Sequence, residues 1–337
     1  MLQLPPPELA LVCVRGVRAG AAPPDGLTEV QAATVTAVAG QVLGVTVDPS
    51  TLEPISPDEL AAAVGDPALR HRMVAGMLAL SLMAHPPDPA GPERIAGYAR
   101  ALGVDEAMLD AARRYVEGHR RWMLFDFARH GAFRPLLARQ VDERGIGPLL
   151  RQVGALKGVT EDRELVARFR TLEGYPQGSW GRALWDFYQL EGWPLPGAKG
   201  AVPQVTSEHD WVHVLSGYPP TPLGEIQVTA FMAANARDDV AFSLLFLGLG
   251  VYETGAIHLP IAPSHVGTMS SVPDAGAQLA DAIRRGTACT VDSLFMDHWA
   301  HAERPLVEVR EEFGVGPKHL PGEDPVPSVP TAVVPGA

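Results

Sequence analysis

The sequence predicts an all-α protein, a helical bundle preceded by a smaller helical domain. Three observations carry that prediction. Apolar residues recur at three- and four-residue steps, as in Met73, Met77, Leu80 and Met83, which puts them on one helix face. Start signals precede such runs and glycines follow them, as in Ser56-Pro57-Asp58-Glu59 and Leu102-Gly103. Hydrophobic residues make up 46% of the chain and aromatics only 7%, so the apolar content is mostly small aliphatics that suit closely packed helices.

The elements follow in order. Residues 1–26, rich in Pro, Gly and Ala, read as a loose arm. A helical domain then spans 27–131. Thr28 with Glu29 starts a helix through Val30, Val35, Val38 and Val42, and Ser56 with Glu59 forms a capping box for the next. Asp66-Pro67 begins the methionine-bearing helix, which the run His85-Pro86-Pro87-Asp88-Pro89 ends. Pro92 to Leu102 forms a further helix with a glycine stop, and another runs from about Glu106 to Arg129.

A second domain spans 132–316. Helices are expected over Phe133–Val153 and Glu161–Leu172, and after Ser179, which caps a helix with Leu184, Trp185, Phe187 and Tyr188 on its aromatic-rich side. The Pro- and Gly-rich loop from Gly192 to Val205 leads to Ser207, read as the N-cap of the next helix. Val240–Tyr252 is almost wholly apolar. At ~20 Å as a helix it is too short to span a bilayer, so it is either a central core helix or has one side along a hydrocarbon-binding tunnel. Ala275 to Phe313 closes the domain, and the proline-rich tail 317–337 is expected to be disordered.

Charge and composition exclude several function classes. The net charge is −12, and Lys157, Lys199 and Lys318 with scattered arginines form no basic stripe, so nucleic acid is not a partner. Cys13 and Cys289 match no zinc or redox spacing and read as reduced, buried thiols. The N-terminus lacks a basic start and apolar core, and no apolar run reaches membrane-spanning length. A cytoplasmic protein is expected, with a peripheral position on the inner membrane face compatible with this reading.

One stretch concentrates chemistry: His209-Asp210-Trp-Val-His213, then eleven residues, then Glu225. Histidines four apart stack on one helix face. Asp210 is turned about 100° from His209, so it is a fourth ligand by reach, or else an outer or acid–base group. The intervening prolines break the helix, and Thr221-Pro222 restarts one with Glu225 about a turn in, returning its carboxylate toward the histidines. Two imidazoles and a carboxylate suit Zn, Fe or Mn, so the bundle is expected to carry a metal motif on two adjacent helices. No rival cluster competes. His71, His85, His119 and His130 read as isolated, and His298 and His301 as residues of a surface helix.

With its flanks, this motif resembles the ubiquinone (coenzyme Q) biosynthesis family numbered fourth in the Coq series. The family hallmark, His-Asp-x-x-His with Glu after eleven residues, is met by His209, Asp210, His213 and Glu225. The likeness extends upstream to Tyr175-Pro176-Gln177-Gly178-Ser179-Trp180-Gly181 and downstream to Pro305-Leu306-Val307-Glu308-Val309-Arg310, and covers roughly 132–316. It implies an all-helical fold and a divalent metal, usually zinc, on those four residues, with Asp210 and Glu225 as the chemical groups. It also implies a prenyl chain beside Phe242, Leu245, Phe246 and Leu249. The resemblance implies one of two roles: metal-dependent removal of the ring carboxyl group of a prenylated precursor, or a non-catalytic prenyl-lipid-binding scaffold with a structural metal. In either role a prenylated quinone precursor or other isoprenoid lipid is the ligand. Other quinone-biosynthetic enzymes are partners, and homo-oligomerisation is compatible with both.

Overall fold

A computed structural model describes residues 2, 4–105, 108–118, 138, 141–142, 145–236, 240–258 and 263–319. Among the described residues the fold is all-α, with no strand beyond the isolated bridges Ser179–Pro305 and Thr254–Val266. The helices are α1 (Pro7–Ala21), α2 (Glu29–Gln41), α3 (Pro57–Ala63), α4 (Pro67–Ser81), α5 (Gly91–Leu102), α6 (Met108–Val116), α7 (Ile146–Leu156), α8 (Arg163–Arg170) and α9 (Trp180–Glu191). They continue with α10 (Gln204–Ser216), α11 (Pro222–Asn235), α12 (Val240–Tyr252), α13 (Thr268–Ser271), α14 (Ala275–Ala288) and α15 (Leu306–Glu312). Two 3₁₀ turns, Thr171–Gly174 and His298–His301, complete the set.

The chain divides into two compact units. Helices α1–α6 and α11–α14 build the first, and α7–α10, the 3₁₀ turns and α15 build the second. The domain expected over 132–316 is therefore divided, because 221–287 joins the N-terminal helices.

In the first unit α1 packs on α4. The expected loose arm is instead a 15-residue helix, and its Gly16 and Gly20 explain why. A side chain at either position would run into Met73, Leu60 or Met77, so the glycines admit α4 at close range. The stripe Met73, Met77, Leu80 and Met83 is buried as its spacing predicts. Thr28 and Ser56 each form a capping box, Asp66 caps α4, and Gly103 stops α5 in the left-handed region at φ 66°. Arg70 donates to the carbonyls of Val64, Ala61 and Leu102, tying α3 to the end of α5. Helix α11 packs along α12, with Gly248 leaving room for Thr229.

The second unit is held by aromatic packing. Trp180, Trp211, Tyr188 and Phe169 are all fully buried, and Trp180 Nε1 donates to the Trp211 carbonyl at 3.1 Å. Ser179 caps α9 as expected. The C-terminal carbonyls of α10, which have no helical partner, are taken by other groups. Arg310 donates to Val214 and Leu215, and Lys318 Nζ to Gly217. The tail is thus engaged through Lys318, while residues 320–337 lie outside the described residues, as does the expected helical stretch 119–130. Among the described residues no helix is long and apolar enough to cross a membrane.

Candidate metal centre

Helix α10 begins at Gln204, after Pro203, four residues earlier than expected. Ser207 is therefore not its cap. It lies inside the first turn, and its hydroxyl donates to the Gln204 carbonyl at 2.8 Å. His209 and His213 sit one turn apart on this helix with their Nε2 atoms 2.9 Å from each other.

What occupies the opposite ring nitrogens gives this contact its meaning. Helix α10 ends on Gly217 in the left-handed region at φ 76°, and the turn folds the Tyr218 carbonyl back to 2.9 Å from His213 Nδ1. That carbonyl accepts only, so the His213 proton is on Nδ1 and its Nε2 presents a lone pair. Asp210 Oδ1 lies 3.1 Å from His209 Nδ1. The geometry is that of an electrostatic contact and not of an aligned hydrogen bond. The Asp210 charge beside Nδ1 favours the tautomer that frees His209 Nε2 to bind an ion. The 2.9 Å separation is that of a hydrogen bond in which one Nε2 carries the proton, and an ion taking the place of that proton would join the same two atoms. A metal-ligating histidine typically gives its other nitrogen to a carboxylate or backbone carbonyl, and that is the pattern here.

Glu225 supplies the third group. Thr221 caps α11, its hydroxyl accepting from Gly224 N at 3.2 Å, and Pro222 occupies the first turn. His209, His213 and Glu225 each offer a ligand atom, and these atoms all lie within 4.8 Å of one another. Metal bonds of 2.0–2.2 Å to a tetrahedral ion need ligand atoms about 3.4 Å apart, within reach of side-chain rotation. This group could hold a metal ion. Asp210 lies outside the group. Its Oδ2 accepts a hydrogen bond from the Tyr188 phenol, and the residue is only 3% exposed. Burial first, and then the Asp210 carboxylate, push the Tyr188 phenol well above its ordinary range, so it stays protonated and donates. Burial and then the Glu225 charge likewise raise the Tyr252 phenol at the end of α12.

Sequence reasoning missed several partners. His298 is not on a surface helix. It is 1% exposed, with Nδ1 at 2.8 Å from Glu208 Oε2, Nε2 at 2.7 Å from the Ser293 carbonyl, and Trp211 stacked on its ring. His301 is half-buried and meets Arg304. His85 is not isolated, because its Nε2 lies 2.8 Å from the fully buried Glu253, which also accepts from the Met269 N–H. His119 and His130 lie outside the described residues.

Within the first unit, α1, α2, α4, α11, α12 and α14 line a half-open apolar cavity of about 330 Å³. Phe242 and Leu245, expected at a prenyl chain, line it, together with Ala230, Ala233 and Ala234 of α11. Phe246 and Leu249 do not line it; both are fully buried. The Cys13 thiol at the cavity wall is pushed up to about 11 by burial. In comparisons with known proteins, no family model, no curated protein and no solved structure matches the chain.

Proposed function

We propose that this chain is a metal-dependent protein of prenylated-quinone biosynthesis that binds a prenyl-aromatic lipid and acts in removing the ring carboxyl group. His209, His213 and Glu225 would hold the ion, zinc by donor chemistry, with iron and manganese also suited to two imidazoles and a carboxylate. The observation that carries the reading is the facing pair of Nε2 atoms, with the Tyr218 carbonyl bonded to one Nδ1 and the Asp210 carboxylate beside the other. When bound, the metal supplies Lewis-acid polarisation of a carboxylate or phenolate oxygen.

The chain's own residues do the rest. Three protein ligands leave an open coordination position, as catalytic sites require. The side chain that would close the shell is Asp210, and its two oxygens are engaged by Tyr188 and His209. This favours the enzymatic reading over the alternative, a scaffold with a closed structural metal. Ala230 begins the cavity-lining part of α11 five residues beyond Glu225, about 7.5 Å along the helix axis. That separation suits a polar ring at Glu225 with an isoprenoid tail running on between the small residues of α11 and the Phe242–Leu245 side of α12. A place against the inner membrane face, beside other quinone-biosynthetic enzymes, goes with this role.

The test is elemental analysis of purified wild type and His213→Ala, with mass spectrometry of co-purifying lipids. One divalent metal per wild-type chain, lost in His213→Ala, is expected, together with an isoprenoid lipid. A metal-free wild type would end the metal reading, and metal without any prenyl lipid would end the cavity assignment. Decarboxylation of a prenylated hydroxybenzoate by wild type, absent in Glu225→Gln, separates enzyme from scaffold.

A further inference from the structure

We infer that Tyr188 is a positioning residue for the metal centre, acting through Asp210 on His209. The inference rests on the metal reading of His209 and His213.

Tyr188 lies on α9 and is fully buried, with its ring against Phe169, Phe187 and Trp193. A phenol in such a site needs an acceptor, and a backbone carbonyl would serve. It meets instead the carboxylate of the residue next to His209, donating to Asp210 Oδ2. The other oxygen, Oδ1, is the atom 3.1 Å from His209 Nδ1. A hydrogen bond from the phenol thus holds the carboxylate in electrostatic contact with the His209 nitrogen opposite the one facing His213.

The arrangement has two physical consequences. Adjacent residues on a helix point about 100° apart, so Asp210 reaches His209 only in a side-chain rotamer that something must hold. Tyr188 holds it through a charge-assisted hydrogen bond from a different helix. The carboxylate so held stabilises the proton on His209 Nδ1 and keeps Nε2 as the ligand atom. His213 needs no such device, because the Tyr218 carbonyl of its own helix terminus does the same work. The two histidines are thus set by different means: one by the backbone, the other by a relay from α9.

The test measures Zn²⁺ affinity of the full chain by competition with a chromophoric chelator, alongside the visible spectrum of the Co²⁺ form. Tyr188→Phe is expected to keep one metal per chain and weaken affinity on the order of 10–100-fold, the usual cost of losing an outer partner. Ser179→Ala removes the cap at the other end of the same helix, so it lowers the melting temperature but leaves affinity within about twofold. Asp210→Ala weakens binding by a similar factor, and Tyr188→Phe added to it costs less than about a further twofold, because the effects share one route. Unchanged affinity in Tyr188→Phe, or losses that add in the double variant, overturns the inference. If Tyr188→Phe fails to fold, Asp210→Asn gives the reading: weaker Zn²⁺ binding at full stoichiometry supports the relay and unchanged binding overturns it. A wild type that takes up no Zn²⁺ removes the metal reading itself, a result distinct from a bound metal indifferent to Tyr188.

Discussion

Two histidine environments in the second unit differ at a single ring nitrogen. His298 has an oxygen at each nitrogen, Glu208 at one and the Ser293 carbonyl at the other. His209 and His213 each have an oxygen at Nδ1, but their Nε2 atoms face one another. His298 is satisfied by the protein alone and acts as a strut under Trp211. The His209–His213 pair instead turns its two remaining nitrogens toward each other, where an ion could take the place of the proton they share. What faces the second nitrogen separates a structural histidine from a ligand, and burial alone does not, since His213 and His298 are equally buried at 1% exposure.

Removing each kind of histidine should break the comparison in opposite ways. His298→Ala takes one partner from Glu208, which keeps the Gln204 amide, and empties a site walled by Trp180 and Trp211. Urea unfolding should show a loss of about 3–5 kcal/mol, with metal stoichiometry retained in the folded fraction. His85→Ala in the first unit takes one partner from the fully buried Glu253 carboxylate, which keeps the Met269 N–H. A loss of roughly 3 kcal/mol is expected by the same measurement. The metal pair should behave differently. Zn²⁺ at a hundredfold excess over its Kd should raise the unfolding free energy of wild type by about 2.7 kcal/mol and that of His213→Ala by nothing measurable. A thermal shift with Zn²⁺ that survives in His213→Ala would erase the distinction.

Much of this was legible in the sequence, and the part that was not shares one cause. Caps at Thr28, Ser56, Asp66, Ser179 and Thr221 are local signals and lie where their neighbours dictate. The i, i+4 spacing of His209 and His213 and the proline turn before Glu225 are equally local, and they bring three of the four expected ligands together. The partners that decide each residue's role are far away in sequence: 22 residues for Tyr188–Asp210, 90 for Glu208–His298 and 168 for His85–Glu253. Spacing along a helix cannot encode such contacts, because packing between helices creates them. The same blindness hid α1, where Gly16 and Gly20 read as loop residues until α4 lies against them.

The smallest expected effect sharpens the comparison furthest. Glu208 is next to His209 in sequence, yet its carboxylate faces His298. Glu208→Gln keeps an oxygen for His298 Nδ1 while removing the charge, and Glu208 is partly open to solvent, with 23% of its side chain exposed. The change should cost about 1 kcal/mol in urea unfolding. Because the Glu208 carboxylate is aimed at His298, Zn²⁺ affinity should stay within about threefold of wild type, against the 10–100-fold loss expected for the Asp210 relay. A chelator competition run on Glu208→Gln and Asp210→Ala side by side makes the contrast direct. Two neighbours of His209 on one helix would then differ in their effect on the metal because of where each carboxylate is aimed. Equal losses in the two variants would mean that negative charge near α10, rather than a specific relay, controls binding.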